Sequence, residues 1–226
     1  MAATKRELHR FELEPEVCEW LDSLSDSDYK RVDEVAGLLA EEGTGLGGPW
    51  SDHLEGQVWE LRLRLARVAV SVTYWCRPDG TIVMLTVFHK TRQTTSGRST
   101  GLSAPSRRAS ATTTDRWIGP SRGTHDDRLH TRWVLPAAGD DDPERIAIRE
   151  ALAFGKAVYE RRTAMSIVAD LAVRAGMTTD EVECIEEGGT EPTIALLRRL
   201  AAALDADVRL TPGHDLGSVG FEAHAA

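Results

Sequence analysis

Five side chains in the N-terminal half are of types that could contact a phosphate group. They are Arg62, Arg67, His89, Lys90 and Arg92, and the last three fall within four positions. A guanidinium group binds phosphate oxygens through two parallel hydrogen bonds, and a histidine can act as an acid or a base near neutral pH. Residues 1–95 carry a net charge of −5, so this dense local positive charge is better explained by a polyanionic ligand than by solubility.

The composition is typical of a globular protein with one large domain or two small ones. The chain has 226 residues, of which 41% are hydrophobic and 28% charged, and its net charge of −9 argues against general polyanion binding. Cys18, Cys76 and Cys184 form no CxxC pair, which argues against a disulfide framework or a zinc site and favours a reducing cytosol. With no long apolar segment and no signal peptide, we expect a cytoplasmic protein without a cofactor, metal or membrane partner.

The elements that must position the cationic residues are two helices and an antiparallel sheet. Helical spacing of apolar residues predicts helices over 14–24 and 27–42, the second capped by Ser25 or Asp26 and ended by Gly43. Period-two alternation then predicts strands, which are "VWELRLRL" (58–65), "RVAVSVTYW" (67–75) and "TIVMLTVFHK" (81–90). This order predicts a small α+β domain in which two helices pack on an antiparallel sheet.

The first strand separates apolar from charged side chains most clearly. Its odd positions, Trp59, Leu61, Leu63 and Leu65, are apolar, and its even positions, Glu60, Arg62 and Arg64, are charged. We interpret Arg64 as a solvated strand residue and Tyr74, on the apolar face of its own strand, as part of the core. Asp52 and His53, in "WSDHLEG", are predicted to lie in a turn.

The chain from 96 to 136 changes character. Ser, Thr, Arg, Gly and Pro dominate, with seven basic and three acidic side chains and few recurring apolar residues. Such a segment cannot bury enough apolar surface to offset its ordering entropy, so a flexible linker is predicted. Helical periodicity returns in residues 137–226, in "DDDPERIAIREALAFGKAVYERR" and three shorter segments, and ends in a short β-rich stretch, "DVRLTPG".

The N-terminal motifs, "VWELRLRLARVAVSVTYW" and "GTIVMLTVFHKTRQTT", resemble the HigB/RelE family of toxins over about residues 9–95. The resemblance implies a ribosome-dependent mRNA endonuclease fold that cleaves RNA without a metal, by attack of the ribose 2′-OH on the adjacent phosphate. It implies a phosphate clamp of Arg62 and Arg67, charge stabilisation by Lys90, and proton transfer by His89. Arg92 is then a second phosphate contact.

The same resemblance implies that the toxin domain is truncated. In the family, the strand that ends in F-x-K, which is Phe88 to Lys90 in this sequence, is followed by a proline and an amphipathic helix of about five turns. Here Ser96 stands at the proline position and no helix pattern follows. The Arg/Ser/Thr/Pro bias of residues 96–136 is the bias of a GC-rich gene read off frame. A frameshift that joined two reading frames is one hypothesis, and a selected linker is the other.

Residues 168–210 resemble an XRE-type helix-turn-helix domain, the domain of the partner antitoxins, through "DLAVRAGMT" and "VECIEEGGTEPTIALLRRLAAAL". This predicts an all-α C-terminal domain. The DNA contacts implied by the resemblance are Arg174, Thr178, Thr179, Arg198 and Arg199. The expected recognition helix, however, carries Asp180, Glu181 and Glu183, and acidic groups are repelled by DNA phosphates. An acidic domain could instead cover the toxin's cationic site.

Three hypotheses follow for the whole chain. The first is a fused type II toxin–antitoxin protein with little or no RNase activity. The second is a DNA-binding transcriptional regulator with an inert N-terminal domain, and the third is an active RNase. The expected partners are ribosome-bound mRNA for the toxin domain, operator DNA for the antitoxin domain, an intramolecular toxin–antitoxin contact and, as an open alternative, a second copy in a homodimer.

Overall fold

The computed structural model describes residues 8–66, 68–89, 131–134, 142–167, 170–211 and 218–223. Within these residues the chain mixes α-helices with a mostly antiparallel sheet. The strands are β1 (Arg10–Leu13), β2 (Ser51–Glu55), β3 (Val58–Leu65), β4 (Val68–Cys76), β5 (Thr81–His89), β6 (Thr131–Trp133), β7 (Ala206–Thr211) and β8 (Ser218–Ala223). The α-helices are α1 (Pro15–Asp22), α2 (Asp26–Glu42), α3 (Pro143–Ala164), α4 (Asp170–Ala175), α5 (Thr179–Glu186) and α6 (Ile194–Ala203).

The main sheet has the strand order β2-β3-β4-β5-β1-β6. All of its neighbouring strands are antiparallel except β1 and β5, which are parallel. The prediction of a purely antiparallel sheet is therefore wrong for this one pair. The short strand β1, "RFEL", carries Phe11 and Leu13 into the core at 1% and 3% exposure, but four residues are too few to give a clear period-two signal.

Both predicted N-terminal helices are present in the structure. Pro15 stands in the first turn of α1, where its missing N–H would have had no partner. The Ser25 hydroxyl caps α2 by accepting a hydrogen bond from the backbone N–H of Asp28, and Gly43 ends α2 with a φ of 57°. The apolar residues of both helices pack on the sheet face that carries Leu61 and Leu63.

Helix α3 connects the two hydrophobic cores that the described residues form. Its Ile148 and Leu152 belong to the first core, together with the main sheet, α1 and α2. Phe154 and Val158, less than two turns further on, belong to the second core. The residues on either side of the 90–130 gap accordingly form one compact unit.

Ion pairs fix α3 against α2. Arg145 of α3 donates hydrogen bonds to Asp33 at 2.9 Å and to Glu34 at 3.0 Å, and both Arg145 and Asp33 are buried. At the start of α3, Lys30 approaches Asp142 at 2.8 Å and Glu144 at 2.7 Å. Burial raises the pKa of Asp33 although Arg145 opposes the shift. Breaking such a buried pair leaves an uncompensated charge, which favours this single arrangement of the helices.

The second core contains a β-hairpin, so the prediction of an all-α C-terminal domain is wrong. Strands β7 and β8 pair along their whole length, and Phe221 of β8 lies 6.4 Å from Phe154 of α3, measured between ring centroids. The apolar side chains of α4, α5 and α6 complete this core. "DVRLTPG" gave a β signal, but residues 218–223, "SVGFEA", gave too weak a signal for its partner strand to be predicted.

Strand β6 lies within the predicted linker. Residues 131–133 extend the main sheet by pairing with β1, and Trp133 packs on Phe11 with 5.5 Å between ring centroids. The Trp133 indole N–H also donates to the hydroxyl of Tyr29 at 3.2 Å. The linker prediction is thus wrong for these three residues, whereas residues 96–130, 135 and 136 lie outside the described part of the chain.

The shared helix predicts that the two halves stay together after the chain is cut. A protease site inserted between residues 110 and 111 can be cleaved in the folded protein, and the products analysed by size-exclusion chromatography. We expect both fragments to elute as one complex, because β6, Ile148 and Leu152 remain buried in the first core. The same cut in an Ile148→Asp, Leu152→Asp variant should give separate fragments. Separate elution of the wild-type fragments would contradict the shared-core arrangement.

Candidate functional site

Charged and small polar side chains line the sheet face opposite the α2-packed core. We call this the polar face; it consists of Glu60, Arg62 and Arg64 of β3 and their cross-strand partners Thr73, Ser71 and Ala69 of β4. The alternation of β3 produces this face, since Leu61, Leu63 and Leu65 are buried on the other side. Both Arg62 and Arg64 therefore belong to the polar face.

Arg62 lies between two carboxylates. Its Nε donates to Glu60 Oε2 at 3.1 Å, and one terminal nitrogen donates to Asp52 Oδ2 at 2.9 Å. Burial works against the charge of Arg62, but Glu60 and Asp52 outweigh it and raise the pKa of the guanidinium. The side chain keeps 30% exposure, so solvent and ligands can reach it.

Arg64 has a different environment, and its interpretation as a solvated residue is wrong. Its side chain is only 4% exposed. Its Nε donates to Glu187 Oε2 at 2.7 Å, a terminal nitrogen lies 2.6 Å from the same oxygen, and Asp180 is 3.9 Å away. The acidic partners lie more than a hundred residues away in the chain, so no local pattern in the sequence could have revealed them.

Three arginines hold three consecutive residues at the C-terminal end of α5. We call Arg31, Arg64 and Arg162 the arginine cradle. Arg162 of α3 binds both carboxylate oxygens of Glu186, at 2.6 and 2.8 Å; Arg64 binds Glu187; and Arg31 of α2 donates to the carbonyl oxygen of Gly188. A helix C-terminus carries partial negative charge, which adds to the attraction for cations.

Two glycines allow this close approach. Gly188 has a φ of 74°, in the left-handed region, and its backbone N–H donates to the Ile185 carbonyl to end α5. A Cβ atom at Gly189 would collide with the Arg64 side chain and would lie 2.8 Å from Cys184 Sγ. The pair "GG" at 188–189 therefore brings the main chain directly against β3.

His89 does not join Arg62 on the polar face. It is exposed at the end of β5 and pairs with Val70, which in turn pairs with Leu63. Paired residues of neighbouring strands point to the same side of a sheet, so the register assigns His89 to the face opposite Arg62. The other three predicted site residues, Arg67, Lys90 and Arg92, lie outside the described residues.

Tyr74 belongs to the core, as predicted. It is fully buried and its hydroxyl makes a 2.7 Å hydrogen bond with the Ser51 hydroxyl. Burial raises its pKa to about 12. Such a phenol stays protonated at neutral pH and is not placed to contact RNA.

Asp52 and His53 lie in a strand, and the prediction of a turn is wrong. Both belong to the edge strand β2, where Asp52 is opposite Glu60 and His53 is opposite Trp59. The His53 ring lies edge-on to Trp59, with 5.0 Å between centroids, and its Nε2 is 3.0 Å from the Gly56 carbonyl oxygen. Asp52 is thereby placed on the polar face next to Arg62.

The residues predicted to contact DNA fall into two groups. Arg174, Thr179 and Arg198 are exposed. Thr178 instead caps α5, with its hydroxyl accepting from the Glu181 N–H in a reciprocal capping box, and Arg199 donates to the carbonyl oxygens at the end of α4. The last two side chains therefore already have structural partners.

The described residues lack two features of other classes of protein. No helix in this part of the chain is long and apolar enough to cross a membrane. Within the same residues, no group of three or more His, Cys, Asp or Glu side chains has the arrangement needed to hold a metal ion.

Comparison with protein families relates part of the chain to a known family. Residues 19–102 match the family described as phage derived protein Gp49-like (DUF891), a RelE/HigB-like toxin family. The match runs from α1 through β5, and therefore includes β3 with Arg62 and Arg64. No curated protein matches the chain. The family match indicates a function related to toxin–antitoxin systems.

The pH dependence of the free energy of unfolding tests whether Tyr74 is buried in the core. Between its ordinary pKa of 10 and about 12 the folded state binds the phenolic proton more tightly than the unfolded state, so stability should fall as pH rises through this range. Tyr74→Phe should flatten this fall, at a cost of about 1 kcal/mol at neutral pH for the lost hydrogen bond. Urea unfolding at several pH values measures both effects. If wild type and Tyr74→Phe showed the same change in stability between pH 10 and 12, the burial of this phenol would be contradicted.

Proposed function

We propose that the protein is a fused type II toxin–antitoxin protein, in which a C-terminal segment neutralises an mRNA-endonuclease-like N-terminal fold. The observation that carries the proposal is the buried contact between Arg64 of β3 and Glu187 after α5. The family match at residues 19–102 supports the toxin origin of the N-terminal part. Ribosome-bound mRNA is the substrate class that this origin suggests.

The chemistry proposed for the polar face is stabilisation of negative charge on the phosphate at which the RNA is cleaved. When a ribose 2′-OH loses its proton and attacks the neighbouring phosphate, the bond to the 5′-oxygen of the next nucleotide breaks, and the 5′-oxygen leaves as a hydroxyl after taking up a proton. Negative charge builds on the phosphorane between these events, and cations placed beforehand lower that barrier. Arg62 and Arg64 are two positions apart on one face, about 7 Å along the strand, and could bind neighbouring phosphates. Arg67, Lys90 and Arg92 remain proposed contributors, whereas the register of His89 argues against a role beside Arg62.

The proposed neutralisation of the toxin fold rests on the binding of Glu187 to Arg64. The Glu187 carboxylate takes both the Nε and a terminal nitrogen of the guanidinium, which are the donors that a phosphate would need. With 4% exposure the side chain is closed to RNA. Because the acidic segment is part of the same chain, its effective concentration is high without any second protein. We therefore propose little or no RNase activity for the intact chain.

The helix pair α4–α5 supports a helix-turn-helix origin for the neutralising segment. The two helices are joined by a three-residue turn that begins with Gly176, a connection typical of this motif. Operator binding is the alternative function, and the exposed side chains of Arg174, Thr179 and Arg198 favour it. Against it, the first turn of α5 carries Asp180 and Glu181, which would face DNA phosphates unfavourably.

Release of Arg64 tests the proposed function. In an Asp180→Asn, Glu187→Lys variant, Arg64 loses its two acidic neighbours and faces a cation, which opposes the packing of the end of α5 on it, and we expect the variant to cleave mRNA and reduce protein synthesis in a cell-free translation assay. The intact chain should be inactive, and Arg62→Ala in the released variant should abolish the effect. Glu183→Lys, the same charge reversal at an exposed position of α5, is the control and should remain inactive. A folded released variant without activity would contradict the proposal.

DNA binding is tested separately on the promoter region upstream of the protein's own gene. We expect no sequence-specific mobility shift, because the acidic first turn of α5 opposes phosphate contact. A specific shift whose salt slope falls by about one in Arg198→Ala would favour the regulator instead. Arg199→Ala serves as the comparison, since its donors hold the end of α4 and its loss should lower stability rather than the salt slope.

A further inference from the structure

We propose that Arg62 forms a phosphate-binding subsite that works in the intact chain, with Glu60 as the positioning residue and Asp52 as a counter-ion that the phosphate displaces. The ligand class is a single-stranded RNA phosphodiester, and in this respect the inference rests on the proposed function. It goes further in separating the two acidic neighbours of Arg62 into different roles and in assigning binding to a chain whose Arg64 is occupied.

The two carboxylates differ first in exposure. The Glu60 side chain is 11% exposed and sits on the same strand as Arg62, whereas the Asp52 side chain is 62% exposed on the edge strand β2. An exposed ion pair contributes little to stability and exchanges readily with other ions. A buried carboxylate at a fixed strand position is a much more permanent partner.

The two carboxylates also bind different edges of the guanidinium. Glu60 accepts from Nε, and Asp52 accepts from a terminal nitrogen. A phosphate that binds end-on uses both terminal nitrogens, so it competes with Asp52 for one of them and can leave the Glu60 contact intact. Glu60 would then hold the planar group in the orientation that presents its end to the ligand.

The backbone around Arg62 supports this assignment. The Arg62 N–H donates to the carbonyl oxygen of Trp50, which is itself buried, so the strand position is fixed beyond the end of the β2 pairing. Asp52 has a second contact available, because its Oδ1 accepts from the His53 N–H at 2.9 Å. Its carboxylate can therefore release Arg62 and keep a hydrogen bond.

Two isosteric substitutions separate positioning from charge. Asp52→Asn and Glu60→Gln each remove one negative charge from the neighbourhood of Arg62, so charge alone predicts equally tighter RNA binding for both. The proposal predicts opposite effects: about two- to fivefold tighter binding for Asp52→Asn, and weaker binding than wild type for Glu60→Gln. Asp22→Asn, the same change at the exposed end of α1, controls for net charge, and Arg62→Ala should reduce binding in every background.

The experiment measures fluorescence anisotropy of a short 2′-O-methyl RNA with the full-length protein at low salt. This probe lacks the attacking 2′-OH, so binding is measured whether or not the protein is an RNase, and failure of the proposed activity is distinguishable from failure of the subsite. Equal tightening by both acidic substitutions, binding unaffected by Arg62→Ala, or no binding by wild type and Asp52→Asn would each overturn the subsite.

A further comparison decides the case in which Glu60→Gln does not fold. Arg62→Lys in the Asp52→Asn background keeps the positive charge but has no Nε for Glu60 to hold and no planar fork. It should lose the gain in affinity from Asp52→Asn. If lysine binds the RNA as well as arginine does, the positioning role of Glu60 is wrong.

Discussion

The arginine cradle is the interaction on which the arrangement of the protein depends. Its three guanidinium groups come from α2, β3 and α3, yet they hold the consecutive residues Glu186, Glu187 and Gly188. Removing two carboxylates from water is costly, and burial raises the pKa of Glu186 despite Arg162. Such groups are stable only where each finds its partner, so the cradle allows one placement of α5 and disfavours the others.

Because helix α3 belongs to both cores, α5 is placed by the folding of the chain and not by a separate binding event. Its first turns complete the core under the main sheet, its later turns form the second core, and Arg162 near its end belongs to the cradle. A conventional neutralising partner can dissociate and expose its target. Here, separation would also expose Ile148 and Leu152, and each buried aliphatic side chain contributes about 1.5–3 kcal/mol. The proposed neutralisation is therefore coupled to folding stability.

Local patterns predicted much of the N-terminal fold and little of the site. The alternation in β3, the proline at the start of α1, the Ser25 cap and the Gly43 stop are all encoded within a few residues of where they act, and each was predictable. Arg64 was not, because its partners are brought to it by tertiary structure. The position of His89 depended on strand register, which a bulge between β4 and β5 helps to set and which composition cannot reveal.

Arg62 and Arg64 show how far identical residues on one strand face can diverge. They have the same neighbours in sequence and the same alternation, yet one side chain is 30% exposed between Glu60 and Asp52 and the other is 4% exposed against Glu187. The difference arises near the start of β2, where Ser51 pairs with Leu61: the edge strand supplies an exposed, exchangeable carboxylate beside Arg62, whereas the end of α5 covers Arg64. The two arginines of one strand face therefore differ in access because different elements supply their carboxylates, the edge strand β2 for Arg62 and the end of α5 for Arg64.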